Sequence, residues 1–197
     1  MLQHDHRNMP HLFAGRGSRV YGFTARHLLR RAYRRIARDL APQVPTGGHV
    51  LDVGTGPAVL LAELARLRPD LRLTGVDLSA DMVGQARDTL RDLGDRASAV
   101  TADAADLPFG DDTFDVIVSS YSLHHWDRPE DAAPELARVL RPGGRLVIYD
   151  AAFAPFDELV GAAGPALLAS APQRTPWRTG LPMLGRGVRQ VMVAGSR

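Results

Sequence analysis

A chain of 197 residues with 45% hydrophobic and 23% charged content has the length and balance of one globular domain with a sizeable core. Cysteine is absent and all 24 basic residues are arginine, which excludes disulfides, thiolate nucleophiles, sulfur-type zinc sites, lysine Schiff bases and phosphate-loop lysines. The formal charge of +2 is too small to imply a polyanionic partner.

Residues 1–17 carry His, Arg and Gly without periodicity and read as an arm with no signal-peptide core. From about Ser18 to Leu40 the pattern becomes helical. Leu29, Ala32, Tyr33, Ile36 and Leu40 recur at three- and four-residue steps, with Arg30, Arg31, Arg34, Arg35 and Arg38 on other faces. Such a helix is either a lid with solvated arginines or an electrostatic platform. Pro42, Pro45 and Gly47-Gly48 then form a linker, which divides the chain into an arm and lid helix at 1–45 and a main domain at 46–197.

The main domain alternates: strand 49–53, helix 58–67, strand 71–76, helix 80–93, strands 97–101 and 114–119, helix 130–139, strand 145–150. This order predicts an α/β, doubly wound, mostly parallel sheet with ligands at the carboxyl ends of its strands. Farther on, a helix from Pro155 to about Ala171, broken near Gly164-Pro165, precedes an antiparallel pair at 177–181 and 188–194. The longest apolar stretch, Leu159 to Ala171, falls short of the ~20 residues that span a bilayer, and a cytoplasmic protein is expected.

The most informative segment is His49-Val50-Leu51-Asp52-Val53-Gly54-Thr55-Gly56-Pro57-Ala58, a buried strand breaking into a glycine turn and a helix. Gly54 and Gly56 remove side chains where the backbone bends and meets a ligand. The dinucleotide spacing would place a third glycine at 59, where Val59 stands. A carboxylate at the mouth of the turn, Asp52, suits a cofactor with an amino group and a sulfonium better than an anion. Asp77 lies roughly 20 residues past the glycines, where an acid at a strand tip binds ribose hydroxyls in nucleoside-binding sheets.

The segment resembles the first motif of class I S-adenosylmethionine-dependent methyltransferases. Val76-Asp77-Leu78-Ser79, Thr101-Ala102-Asp103-Ala104-Ala105-Asp106-Leu107-Pro108-Phe109, the stretch from Phe114 through Ser120-Tyr121-Ser122-Leu123-His124-His125-Trp126, and Leu140-Arg141-Pro142-Gly143-Gly144 follow in the family's order. Together they cover about residues 48–150 and are similar to the type 11 group that includes the ubiquinone and menaquinone C-methyltransferases. The resemblance implies a seven-stranded Rossmann-like sheet, S-adenosyl-L-methionine as cofactor, and in-line transfer of a methyl group to a small-molecule acceptor. A monomer or homodimer is expected.

The same resemblance implies the site. Gly54 and Gly56 would contact the cofactor, and Asp52 would either reach its amino group through water or order the turn. Asp77 would take the ribose hydroxyls, or else cap the next helix, for which Ser79 is better placed. Leu78 and Met82 would flank the adenine, Asp103 and the Ala104 backbone N–H would hold its edge, and Ser120 would approach the methionine part. Tyr21, in the lid, matches a tyrosine that often reaches the cofactor, although Gly22 follows where an aspartate is common. His124 and His125 sit on the acceptor side, where an imidazole can act as general base. Adjacent histidines on a helix do not face each other, and no metal is expected. Three rivals stand beside this reading. One is a nicotinamide oxidoreductase, whose Gly-x-Gly-x-x-Gly turn is missing, and another is a catalytically silent cofactor-binding or regulatory protein. The third, a nucleic-acid methyltransferase, is disfavoured because Ser119-Ser120-Tyr121-Ser122 replaces the Asn/Asp-Pro-Pro-aromatic motif.

Overall fold

Each apolar run that follows a turn signal becomes a strand, and the helices between them cover both faces of one sheet. A computed structural model describes residues 30–178 and 186–195. Helix α1 (Arg30–Leu40) leads into β1 (His49–Val53), α2 (Val59–Leu67), β2 (Arg72–Asp77), α3 (Ala80–Leu90), β3 (Ala97–Thr101) and β4 (Phe114–Ser120). Then come α4 (Pro129–Val139), β5 (Leu140–Ala151), α5 (Phe156–Leu167), β6 (Gln173–Arg178) and β7 (Arg186–Val193). The seven strands lie in the order β3-β2-β1-β4-β5-β7-β6. The first five pair in parallel, and β7 runs antiparallel between β5 and β6.

Alternation along the strands builds two cores. Val50, Leu73, Val116, Val118, Val147 and Tyr149 point to one face, under α1, α2 and α3. Leu51, Val53, Val76, Ile117, Leu146 and Ile148 point to the other, under α4 and α5. Strands covered on both sides explain the continuous apolar runs of β1 and β4.

The described part of the amphipathic helix is fastened to this body at both ends. Ala32, Tyr33, Ile36, Ala37 and Leu40 bury its apolar side. Arg30 and Arg34 bond the Glu63 carboxylate on α2 at 2.6 and 3.1 Å, joined by Arg66 at 2.8 Å. Toward its other end Asp39 accepts from the Tyr149 hydroxyl at 2.6 Å and from Arg189 Nε at 2.8 Å. Residues 18–29 of the expected helix, and Tyr21 with them, lie outside the described residues.

Several boundaries differ from the sequence expectation. Helix α3 ends at Leu90 and continues as a tighter turn over Arg91–Arg96. Strand β5 starts at Leu140 because Leu140 pairs with Phe114 ahead of a register shift. The partner strand lies at Gln173–Arg178, four residues earlier than expected, and carries Pro176. Proline is tolerated there because β6 is an edge strand and owes no outer ladder bond. The break in α5 falls at Gly164 (φ 53°), as its Gly-Pro step predicts. Among the described residues no helix is long and apolar enough to cross a membrane.

Candidate functional site

The carboxyl edge of the sheet gathers nearly every described residue singled out in the sequence. At the tip of β1 the backbone turns through left-handed conformations at Gly54 (φ 72°), Gly56 (φ 53°) and Ala58 (φ 57°). The Gly54 and Thr55 N–H groups both donate to the Val76 carbonyl at 2.9 Å, which ties the turn to β2. A methyl group at Gly54 would lie 1.8 Å from Ser122 Oγ, so this glycine is required by packing as well as by its φ. Ala58 holds an unfavourable φ with its methyl fully buried.

Asp77, expected either to bind ribose or to cap the next helix, makes two backbone bonds of its own. Its Oδ2 accepts from Gly56 N at 2.8 Å and its Oδ1 from Ser79 N at 2.9 Å. It therefore fixes the glycine turn itself, while Ser79 Oγ caps α3 by accepting from Met82 N at 3.4 Å. Burial pushes its carboxyl above the usual range against those two N–H groups. Each oxygen keeps a further lone pair for a ligand hydroxyl.

Asp52 is 1% exposed. Thr55 Oγ1 donates to its Oδ2 at 2.8 Å, and its Oδ1 is buried with no hydrogen-bond partner. Burial, with Asp77 nearby, pushes this carboxyl up to about 7 despite the Thr55 hydroxyl. Two desolvated acids flanking a glycine turn, one with an orphan oxygen, are a set of acceptors that a cationic or amino-bearing ligand satisfies and an anion does not. S-adenosyl-L-methionine has that chemistry, and these residues fit it.

The remaining cofactor-side residues fall in two groups. Leu78 is 74% exposed just beyond β2, whereas Met82, in the first turn of α3, is buried. Asp103 is exposed, and its Oδ1 accepts from Ala105 N at 2.9 Å, which braces the turn that presents Ala104 and Asp106. Ser120 is buried at the tip of β4, opposite Tyr149 of β5.

Beyond Ser120 the chain is bent at Tyr121 (φ 54°) into a short helical turn over Leu123–His125. Ser122 is its bolt: Oγ accepts from the Trp126 indole N–H at 2.9 Å while lying against Gly54. His124 is held by a residue that sequence reasoning missed. Its Nδ1 lies 2.6 Å from Oδ1 of Asp150, and its backbone N–H donates to Asp150 Oδ2 at 3.2 Å. Asp150 is fully buried, and the Ala151 N–H donates to it at 2.7 Å. With its proton on Nδ1, facing this carboxyl, the neutral ring would leave Nε2 as the acceptor. The available signal was an acid closing an apolar strand, the pattern already evident at Asp52 and Asp77.

The expectation that the histidine rings would not face each other is corrected. In the tight turn they stack at 3.9 Å with a 44° tilt. Burial and the neighbouring His124 lower the His125 pKa against the pull of Asp150. Among the described residues no group of three or more His, Asp or Glu side chains is placed to hold a metal ion.

Comparison with known proteins agrees with this geometry. A family model described as a methyltransferase domain matches residues 51–148. The ubiquinone/menaquinone biosynthesis C-methyltransferase UbiE of Pseudomonas savastanoi pv. phaseolicola is 36% identical over 125 residues, covering 62% of this chain and 48% of that protein. The 27-O-demethylrifamycin SV methyltransferase of Amycolatopsis mediterranei is 37% identical over 134 residues, covering 64% and 48% respectively. This chain thus spans about half the length of these curated relatives. A solved structure described as a putative S-adenosyl-L-methionine-dependent methyltransferase from Methanococcus maripaludis superposes with a TM-score of 0.76 at 20% identity. It covers 100% of this chain and 98% of its own, and shows the shared fold.

Proposed function

From the premise that this chain belongs to the class I S-adenosylmethionine-dependent methyltransferases, we propose that it methylates a hydroxyl group of a small molecule, with His124 as general base and Asp150 as its positioning residue. The observation that carries this reading is the 2.6 Å contact between His124 Nδ1 and the buried Asp150 carboxylate. Such a pair is suited to an acceptor that must lose a proton as it is methylated. The 27-O-demethylrifamycin SV methyltransferase, an oxygen-methylating relative by name, supports the choice of atom.

When bound, the cofactor supplies an electrophilic methyl on a cationic sulfur and leaves as a neutral thioether. The chain supplies the rest. The turn at Gly54 and Gly56 with Asp77 would hold the nucleoside, Leu78 and Met82 would face the adenine, and Asp103 and Ala104 its edge. Asp52 and Ser120 would lie toward the methionine part. His124 Nε2 would take the hydroxyl proton as the new oxygen–carbon bond forms and the carbon–sulfur bond breaks, and Asp150 would stabilise the resulting imidazolium. Ser122 joins the two sides, so that base and glycine turn keep one spacing.

The test is transfer of labelled methyl from S-adenosylmethionine to a panel of phenols and alcohols by the wild-type protein, H124A and D150N. Turnover by the wild type with a pH-dependent rise, lost in H124A, supports the reading. A silent cofactor-binding protein would bind the cofactor and transfer nothing, and a base-free enzyme would tolerate both substitutions.

A further inference from the structure

Three large apolar side chains stand exposed among the described residues: Leu67 at 45%, Leu78 at 74% and Phe153 at 79%. Leu67 ends α2, away from the carboxyl edge. Leu78 and Phe153 both lie on that edge, one beyond β2 and the other beyond β5, on either side of the β1 and β4 tips. Leu78 belongs to the cofactor side. Phe153 has no part in the site as described so far.

The exposure of Phe153 is built in by its turn. The Ala154 N–H donates to the Ala151 carbonyl at 3.1 Å, the Phe156 N–H to the Ala154 carbonyl at 2.7 Å, and the Ala152 N–H to the Arg186 carbonyl at 3.2 Å. Ala151, Ala154 and Phe156 are buried on either side of it. Its neighbours are thus pinned in the core while its ring is turned outward, three residues after Asp150. The ring meets His124 edge-on, with centroids 5.7 Å apart and planes at 73°. His125 also lies against the same imidazole, its centroid 3.9 Å away at a 44° tilt. Any molecule that covers Phe153 therefore lies beside the proposed base.

We propose that Phe153 is a specificity-determining residue that receives the uncharged, apolar ring of a phenol-like acceptor and so brings its hydroxyl to His124. The inference rests on the reading of His124 as base. It commits to an apolar ring because the surface offered next to the imidazole is an exposed aromatic ring on a pinned backbone, whose removal from water on binding favours apolar bodies over small polar alcohols.

The experiment uses 2-naphthol as probe, titrated into the full chain saturated with S-adenosylhomocysteine, which allows binding without turnover. Wild type, F153A and F153Y are compared, together with their affinity for S-adenosylhomocysteine alone. The expected result is at least tenfold weaker 2-naphthol binding in F153A, recovery to within threefold of wild type in F153Y, and unchanged S-adenosylhomocysteine affinity in both. Binding of 2-naphthol to F153A within threefold of wild type, or no binding to the wild type at millimolar concentration, would overturn the proposal. Failure of the base assignment reads out separately, as undiminished methyl transfer by H124A and D150N.

Discussion

The two halves of the sheet's carboxyl edge are built by different means. Around β1 and β2 the site is made of backbone turns and carboxylates: Thr55 bonds Asp52 within the turn, 3 residues away, and Gly56 N–H bonds Asp77 at the next strand tip, 21 residues away. Around β4 and β5 it depends on a side-chain pair 26 residues apart, His124 with Asp150. Residue 149 beside that pair is tied to α1 by the Tyr149–Asp39 bond across 110 residues, and Arg189 joins Asp39 across 150. On the proposed reading the first half binds the cofactor. On that reading the second half carries the chemistry; the two halves join where β1 pairs with β4, and at the edge itself Ser122 lies against Gly54.

The substitution expected to break both halves at once is Gly54→Ala. Its new methyl would sit 1.8 Å from Ser122 Oγ at a φ of 72°, so the turn or the His124 loop must move. Loss of measurable cofactor binding and of turnover together is the expected outcome, read by calorimetry and by labelled methyl transfer. Next in size, His124→Ala should lower kcat by about 10²–10⁴, the usual worth of a general base, while leaving cofactor affinity within a few-fold. Asp150→Asn should cost less than this and move the pH profile, because it alters the ring nitrogen's partner and not the base itself.

Asp77→Ala should weaken S-adenosylmethionine about 10- to 100-fold, since hydrogen bonds to a charged group contribute about 1.5–3 kcal/mol and the Gly56 N–H also loses its acceptor. The smallest effect concerns Asp52 and pH. Burial pushes its carboxyl up to about 7 in the folded chain from an ordinary value of 3.8. Between those values the folded state keeps a proton that the unfolded state has released, so stability without cofactor falls as pH rises through this window. Asp52→Asn should remove that fall and raise Tm at pH 8 by a few degrees. A thermal melt series from pH 5 to 8 checks it, and parallel curves for the two proteins would show that Asp52 is ionised throughout.

The same contrast decides what was legible in the sequence. Val53-Gly54-Thr55-Gly56 and Val76-Asp77-Leu78-Ser79 announce a strand, a turn and an acid within a few residues, because the physics of that half is local. Its fold consequence, a parallel sheet with helices on both faces, follows from the alternation of the apolar runs. Asp150 was not evident because nothing beside it in the chain says which loop it will meet, although an acid at a strand tip is the same sign that marked Asp52 and Asp77. Phe153 was equally silent, since an outward aromatic is recognisable only once Ala154 and Phe156 are seen to be buried around it. Pro176 misplaced β6 because a proline argues against a strand until the strand is known to be an edge.

Calorimetric titration of S-adenosylmethionine into wild type, Asp77→Ala and His124→Ala, with methyl transfer measured on the same samples, tests the division of labour most directly. The expected result is binding by wild type and His124→Ala alike, with turnover only in the wild type, and weakened binding in Asp77→Ala. Loss of cofactor affinity in His124→Ala as large as in Asp77→Ala, or full turnover in its presence, would contradict it.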